Sequence, residues 1–541
     1  MNKPFAITLD VGTSLANKTG SWRTEKPVYV DRLPPCNNAC PAGENCQQWL
    51  YHAESGDYEG AWRQIMRDNP MPATMGRCCY HPCEGACNRG QLDTAVGIHA
   101  IERFLGDEAI KRGWKVRSDV AQSGKRVLIV GAGPSGLSCA YHLALMGHRP
   151  VIFEAGPMAG GMMRFGIPKY RLPREVLDAE IRRIQELGVE IKLNTKVDDL
   201  AKVMKEQVFD AVFLAVGAHL AKRAYIPAGD AGKILDAIAL LRGLETGEKP
   251  LLGRRVLVYG GGNTAMDVAR SAKRLGATES IVVYRRTREK MPAHDFEVQE
   301  AMDEGVMFKW LTTIKSEKDG VFQVEKMKLD DKGKPQPTGE FDTITGDSLV
   351  LALGQDVDLS FLDKIDGLKI SDGVVEVGQD MMTGHRGVFA GGDMVPAERT
   401  VTVAIGHGKK AARYIDGFLR NTAYQPAPKH ELAKAELLNT WYYSDAPATV
   451  QPLLDEARRT STFAEVVGGL DESNALFEAR RCLSCGNCFE CDNCYGVCPD
   501  NAVIKLGAGK GFKFNYDYCK GCGMCSTECP CGAIRMEPET I

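Results

Sequence analysis

The chain has 541 residues, 44 % apolar and 25 % charged, with a net charge of −3. That is the composition of a folded protein of three or four domains, with no electrostatic reason to bind nucleic acid or an anionic membrane surface. No apolar run is long enough to span a bilayer, and "MNKPFAITLDVGTS" has neither an apolar secretory core nor a small-residue cleavage site, so a cytoplasmic protein is expected.

Of the 19 cysteines, 18 lie in two clumps, at 36–87 and 482–531, with Cys139 alone between them. A disulfide scaffold spreads its cysteines over a small secreted domain. Clumped CxxC spacing in a large chain reads instead as metal binding in a reducing compartment. The first clump lies in an expected domain at 1–120 and contains "CNNACP" and "RCCYHPCEGAC". Between these, "WLYHAESGDYEGAWRQIMRD" has apolar residues at helical spacing, the pattern of core helices.

Next comes "RVLIVGAGPSGLSCAYHLALMGHRPVIFEA": apolar strand, glycine turn, helix, apolar strand. Gly131 allows the tight turn, Gly133 lets a pyrophosphate approach the backbone, and Gly136 lets helix and strand pack closely. The helix N-terminus then faces the phosphates. Glu154 closes the second strand at the distance expected of a ribose-binding acid. A second unit, "RVLVYGGGNTAMDVARSAKRLGATESIVVYRRTREKMP", repeats the plan with Gly260, Gly262 and Ala265, its helix opening at Asn263 and Thr264. Its second strand ends in Arg285 and Arg286 rather than a carboxylate. Arginine there suits a 2′-phosphate, hence NADP(H) over NAD(H); the alternative is a solvated basic turn. "GVFAGGDMVPAERTVTVAIGHGKKAARYID" reads as strand, turn and helix, with Asp393 placed for the flavin ribityl or phosphate region. The first unit should therefore hold FAD in a discontinuous domain, 121–242 and 355–425, interrupted by an NAD(P) domain at 243–354. Residues 426–475 read as a linker wrapping the core.

The segment 476–541 contains C-x2-C-x2-C-x3-C-P twice. This is the bacterial ferredoxin spacing, in which the fourth cysteine of each run serves the other cluster. Cys488, Cys491, Cys494 and Cys529 are expected to hold one [4Fe–4S] cluster, and Cys519, Cys522, Cys525 and Cys498 a second. Zinc sites use separated pairs rather than three steps in a row.

Taken together, "CNNACPAG", "GRCCYHPCEGAC", "VGAGPSGL", "GGMMRFGIPKYRLP", "GGGNTAMD", "YRRTREKMP" and "GVFAGGD" make residues 30–425 resemble the glutamate synthase small-subunit family. That group also includes the electron-input half of dihydropyrimidine dehydrogenase. The resemblance implies FAD, NAD(P)H, a helical N-terminal domain with iron–sulfur clusters, and a partner that performs the substrate chemistry. It sets the loop carrying Gly161 near the flavin. It also implies that Cys40, Cys79, Cys83 and Cys87 bind one [4Fe–4S] cluster, and the four-residue spacing of the last three agrees. A second family cluster needs a CxxC upstream of Cys36, where this chain has no cysteine. "LDESNALFEARRCLSCG" resembles the missing segment, so Cys482 and Cys485 are expected to fold back and join Cys36 and Glu102. Cys46, Cys78 and Cys531 read as spare thiols.

The expected fold class is therefore α/β. Two Rossmann-like domains, the NADP domain inserted in the FAD domain, lie between an N-terminal α-helical iron–sulfur domain and a C-terminal α+β bacterial-ferredoxin-like domain. The expected function is hydride exchange between NADP or NAD and FAD, then single electrons through [4Fe–4S] clusters. The partners would be other, iron–sulfur-containing subunits of a redox complex of the 2-oxoacid or aldehyde:ferredoxin oxidoreductase type. The alternatives are a true glutamate synthase small subunit and a non-catalytic wiring subunit. No catalytic acid or nucleophile is called for, and Cys139 alone in its helix argues against a disulfide mechanism.

Overall fold

The computed structural model describes residues 18–222, 227 and 233–539. Two parallel five-stranded sheets form its centre. The first runs Val388–Ala390, Ala211–Leu214, Arg126–Val130, Arg149–Phe153, Glu190–Lys192. "RVLIV", "RPVIF" and "AVFL" are almost wholly buried, as strands with helices on both faces must be. The second runs Met307–Lys309, Glu279–Val283, Arg255–Tyr259, Ser348–Leu351, Lys233–Asp236. It begins at Lys233, ahead of the expected boundary at 243. An antiparallel three-stranded meander, Thr312–Lys318, Val321–Leu329 and Pro335–Thr345, packs Ile314, Phe322, Val324 and Ile344 against one face of this sheet.

The N-terminal part is helical. Cys46–Glu54 and Tyr58–Ile65 break at Gly56 and Asp57, whose side chain caps the second helix, and they bury Trp49, Leu50, Trp62 and Ile65. Helices Pro72–Cys78 and Ile98–Arg112 cross closely where glycine replaces bulk: a Cβ on Gly106 would stand 2.3 Å from Ala73 N, and one on Gly76 2.5 Å from Arg103 N.

The two ends of the chain meet. Glu25–Tyr29 pairs antiparallel with Ile534–Pro538, closing the C-terminal domain, whose remaining strands form a hairpin of Val503–Lys505 and Phe512–Phe514. Arg23 secures the junction with bonds to Glu539, the Tyr516 carbonyl and the Cys519 carbonyl. Helix Glu472–Ala479 docks back on the N-terminal domain. Glu478 accepts from Gly97 N at 2.7 Å, and Arg481 donates to the carbonyls of Thr94, Ala95 and Ala446. Among the described residues, no helix is long and apolar enough to cross a membrane.

Helix Val401–Arg420 lies against helix Pro134–Leu145 at backbone contact. A Cβ on Gly408 would stand 2.3 Å from Ser135 O and 2.8 Å from Cys139 N. Gly408→Ala should cost about 1–3 kcal/mol through overpacking, read as a lower thermal midpoint.

Candidate functional site

The two glycine turns open into one cleft of about 1160 Å³, larger than a usual single-ligand site. Each turn is built the same way. At Gly131 φ is +108° and a Cβ would lie 2.4 Å from Ala215 O; at Gly260 φ is +152° and a Cβ would lie 2.1 Å from Ala352 O. Only glycine fits both demands. Gly133 and Gly262, by contrast, have nothing within 3.9 Å of an added Cβ except Gly161 Cα, so backbone is bare where a pyrophosphate would lie. Gly136 is buried beneath the first turn, where a Cβ would strike Gly131 O at 2.0 Å.

Glu154 lines the cleft and accepts one backbone N–H on each oxygen, from Ala132 at 2.8 Å and Gly156 at 2.7 Å. Each oxygen keeps a lone pair for a ribose hydroxyl. Asp393 also lines the cleft, its carboxyl pushed upward by burial. The following helix, Val401–Arg420, is capped by Thr400 and presents Thr400, Val401 and Ala404 to the same space. Buried Ser135 Oγ, at the start of the first glycine-turn helix, has no hydrogen-bond partner, as expected of a phosphate or ribityl donor. These residues fit FAD.

In the second unit Thr264, Arg285 and Arg286 line the cleft, and Arg286 Nε is buried without a partner, which suits a phosphate. Asn263 also lines the cleft, and its side chain donates to the Tyr80 hydroxyl at 2.6 Å and accepts from His294 N at 3.0 Å. Tyr80 stacks on His294 at 3.7 Å, so the N-terminal domain helps to form the nucleotide cleft.

The loop "GGMMRFGIPKYRLP" clamps the two nucleotide domains, a role that motif reading missed. Arg171 lies 3.0 Å from both oxygens of Asp267 and 2.6 Å from Glu297, and the ring of Tyr170 sits 3.8 Å from the Arg274 guanidinium carbon. The available signals were the two arginines in "YRLPRE" and the single acid in "TAMD".

None of the 19 cysteines forms a disulfide. Cys40, Cys79 and Cys83 gather with Cys46 and Glu102. The Cys46 thiol bonds to Cys40 and holds it down at about 7, aided by Lys409, while burial and the neighbouring Glu44 push Glu102 up. Cys87 stands apart from this group. It lines a small cavity with Cys36, Cys482 and Cys485. The expectation put Glu102 with Cys36, Cys482 and Cys485; the cavity has Cys87 beside those three, and Glu102 lies near Cys79. The cause is local backbone. Cys79 is extended, His81 is left-handed at φ +45°, and the short helix Pro82–Gly85 ends before Cys87, whose ψ is 123°, so residues four apart do not share a direction. The helix crossing at Gly76 and Gly106 carries Glu102 to Cys79 instead.

In the C-terminal domain Cys488, Cys491 and Cys494 neighbour Cys529, and Cys519, Cys522 and Cys525 neighbour Cys498. Backbone N–H groups point at sulfur: Ala502 at Cys498, 3.2 Å; Ala533 at Cys529, 3.3 Å; His81 at Cys79, 3.3 Å. Thiols collected in fours without disulfides and solvated by amides fit iron–sulfur clusters. His81, Glu84 and His99 also converge, but they satisfy one another and Gln451.

Residues 111–408 match the pyridine nucleotide-disulphide oxidoreductases. The chain belongs to that family. Residues 31–114 match dihydropyrimidine dehydrogenase domain II, 4Fe-4S cluster, and 512–535 the 4Fe-4S binding domain, so an FAD/NAD(P)H oxidoreductase is fused to iron–sulfur domains at both ends. The chain is 38 % identical over 517 residues to the NADP(+)-dependent formate dehydrogenase subunit beta of Moorella thermoacetica, covering 85 % of this chain and 71 % of that one. It is 35 % identical over 522 residues to the NADPH-Fe(3+) oxidoreductase subunit beta of Geobacter sulfurreducens, covering 85 % and 77 %. It is 34 % identical over 423 residues to the Escherichia coli glutamate synthase [NADPH] small chain, covering 71 % and 89 %. The cysteine pair that gives the family its name is not built on the glycine-turn helix, where Cys139 is fully buried and alone.

Arg171→Ala leaves Asp267 and Glu297, 5 % and 1 % exposed, without their cation. Unfolding in denaturant should show a loss of about 3–5 kcal/mol.

Proposed function

We propose that the chain is the NADP(H)-linked electron-transfer subunit of a larger oxidoreductase. FAD on the Gly131 turn supplies the conversion between two-electron hydride chemistry and one-electron transfer. The residues supply placement. The glycine turns and Glu154 orient the flavin nucleotide, and Arg285 and Arg286 select the 2′-phosphate. The Arg171 clamp fixes the two nucleotide units against each other.

The observation that carries this reading is the succession of cysteine sites from the flavin cleft outward. The Cys40 loop touches the flavin-side helix: a Cβ on Gly406 would stand 2.1 Å from Pro41 O. We assign Cys40, Cys79, Cys83 and Glu102 to the first [4Fe–4S] cluster, and Cys36, Cys87, Cys482 and Cys485 to the second. Cys36 lies in the short helix Pro35–Ala39 and Cys40 caps its end, donating to Cys36 O at 3.1 Å. Tyr443 lies between the second site and the ferredoxin cysteines, its phenol pushed up by burial and by Cys531, Cys482 and Cys485. Gly486 N donates to Cys531 O at 2.6 Å across the same junction. The two ferredoxin clusters follow, with Cys488, Cys491 and Cys522 exposed.

The partner would then be an iron–sulfur-containing catalytic subunit oxidising a low-potential substrate such as a 2-oxo acid, an aldehyde or formate. The NADP-linked names of the relatives support the nucleotide, and the formate dehydrogenase name supports the substrate class. A glutamate synthase role gives the ferredoxin half no use. A scaffold role gives the intact glycine turns none.

NADPH should drive viologen reduction by the purified chain in preference to NADH. Zero turnover with FAD bound would overturn the reading. Replacing Arg285 and Arg286 together by alanine should raise KM for NADPH about tenfold or more, the scale of one lost charge-assisted contact, and leave NADH nearly unchanged. The ligand grouping has its own check in iron content. Cys87→Ser and the Cys482→Ser/Cys485→Ser pair should each lose about four irons, and combining them should lose no more.

A further inference from the structure

The ferredoxin half has no strand of its own ahead of its first cysteine run. Residues 472–479 are helical, and the strand beside Ile534–Pro538 comes from Glu25–Tyr29. The last residue of that borrowed strand is Tyr29. Its ring stacks on Phe514 at 4.6 Å with the planes 11° apart, and lies 6.4 Å from Phe512. Held there, its hydroxyl stands 3.3 Å from Cys494 Sγ.

The two cysteine runs repeat each other, and the backbone treats them alike. In each, the amide four residues after the fourth cysteine donates to that cysteine's sulfur, Ala502 to Cys498 and Ala533 to Cys529. Tyr29 breaks the symmetry. Cys525 occupies the place of Cys494 in the second run, and among the described residues no hydroxyl donates to it.

A hydrogen bond to a ligand sulfur withdraws electron density and favours the reduced, more negative form of a cluster, so it raises the potential. We propose that the Tyr29 hydroxyl raises the potential of the cluster held by Cys488, Cys491, Cys494 and Cys529 relative to its twin, making the N-terminal strand a tuning element of the C-terminal domain. Tyr29 is a positioning residue, since it meets a ligand sulfur and not the cluster. The proposal rests on the ferredoxin reading given above.

The test is an EPR-monitored redox titration of the full chain, purified anaerobically with its clusters, as parent, Tyr29→Phe and Tyr516→Phe. Phenylalanine keeps the stack on Phe514 and loses only the hydroxyl. Tyr516→Phe is the control: its hydroxyl donates to Pro27 O at 2.8 Å on the same strand, and not to a sulfur. The expected result is a midpoint shifted to more negative potential for one cluster signal in Tyr29→Phe. The other signals, the iron and the flavin content should be unchanged, and no signal should shift in Tyr516→Phe. Unchanged potentials in cluster-loaded Tyr29→Phe would overturn the proposal alone. So would an equal shift in Tyr516→Phe, which would assign the effect to strand docking, or loss of iron in Tyr29→Phe, which would assign the hydroxyl to assembly. Absence of ferredoxin-type signals from the parent would overturn the ferredoxin reading, and this proposal with it.

Discussion

The antiparallel meeting of the chain's two ends is the constraint on which the rest of the molecule depends. Five residue pairs, from Glu25 with Pro538 to Tyr29 with Ile534, close the C-terminal sheet with a strand from the other end of the sequence. Without that closure the ferredoxin half would present an unpaired sheet edge, which is a liability for any strand. Arg32 extends the junction by donating to Gly532 O at 3.1 Å and pairing with Glu431 at 2.5 Å. The same return of the chain brings Cys482 and Cys485 to Cys36 and Cys87. One topological event therefore completes both a sheet and a set of four thiols.

Electron transfer favours this solution over a tethered domain. A ferredoxin on a flexible linker would spend part of its time away from its donor. Here residues 426–475 do not behave as a free linker. Leu33 bridges to Leu432, Gln451 bonds His99 at 3.0 Å, and Val466 N donates to Tyr170 O at 2.9 Å. Each anchor lands on the N-terminal domain or on the loop that clamps the nucleotide domains. Spacing between cysteine sites is thus set by packing, which is close to crystalline in density and does not drift.

Much of this was legible in the sequence because the motifs are local. Gly131, Gly133, Gly136 and Glu154 lie within one strand–helix–strand unit, and their backbone demands show directly in the residue types. The same holds for the repeated cysteine runs. What stayed hidden depended on contacts distant in sequence. The Arg171 clamp needs Asp267 and Glu297, which no local pattern links to it. The meander at 312–345 alternates apolar and polar residues and has a glycine at each turn, a signal that was present but overshadowed by the neighbouring glycine motif. Strand Lys233–Asp236 joins the edge of the second sheet, a pairing with Ser348–Leu351 that no local pattern shows.

The placement of Cys87 beside Cys36, Cys482 and Cys485, and of Glu102 near Cys79, bears on what a four-residue spacing can tell. A repeat of four residues implies a common face only while the helix continues. Here the segment from Cys79 to Cys87 is a helix end, a left-handed residue and a single short turn, so the third cysteine leaves the face of the first two. On the assignment proposed above, a carboxylate from a different helix takes that place, and the approach of that helix is set by two glycines, Gly76 and Gly106. Sequence supplied both residues. Where each one stands is decided by the backbone turn at His81 and by how closely two helices pack.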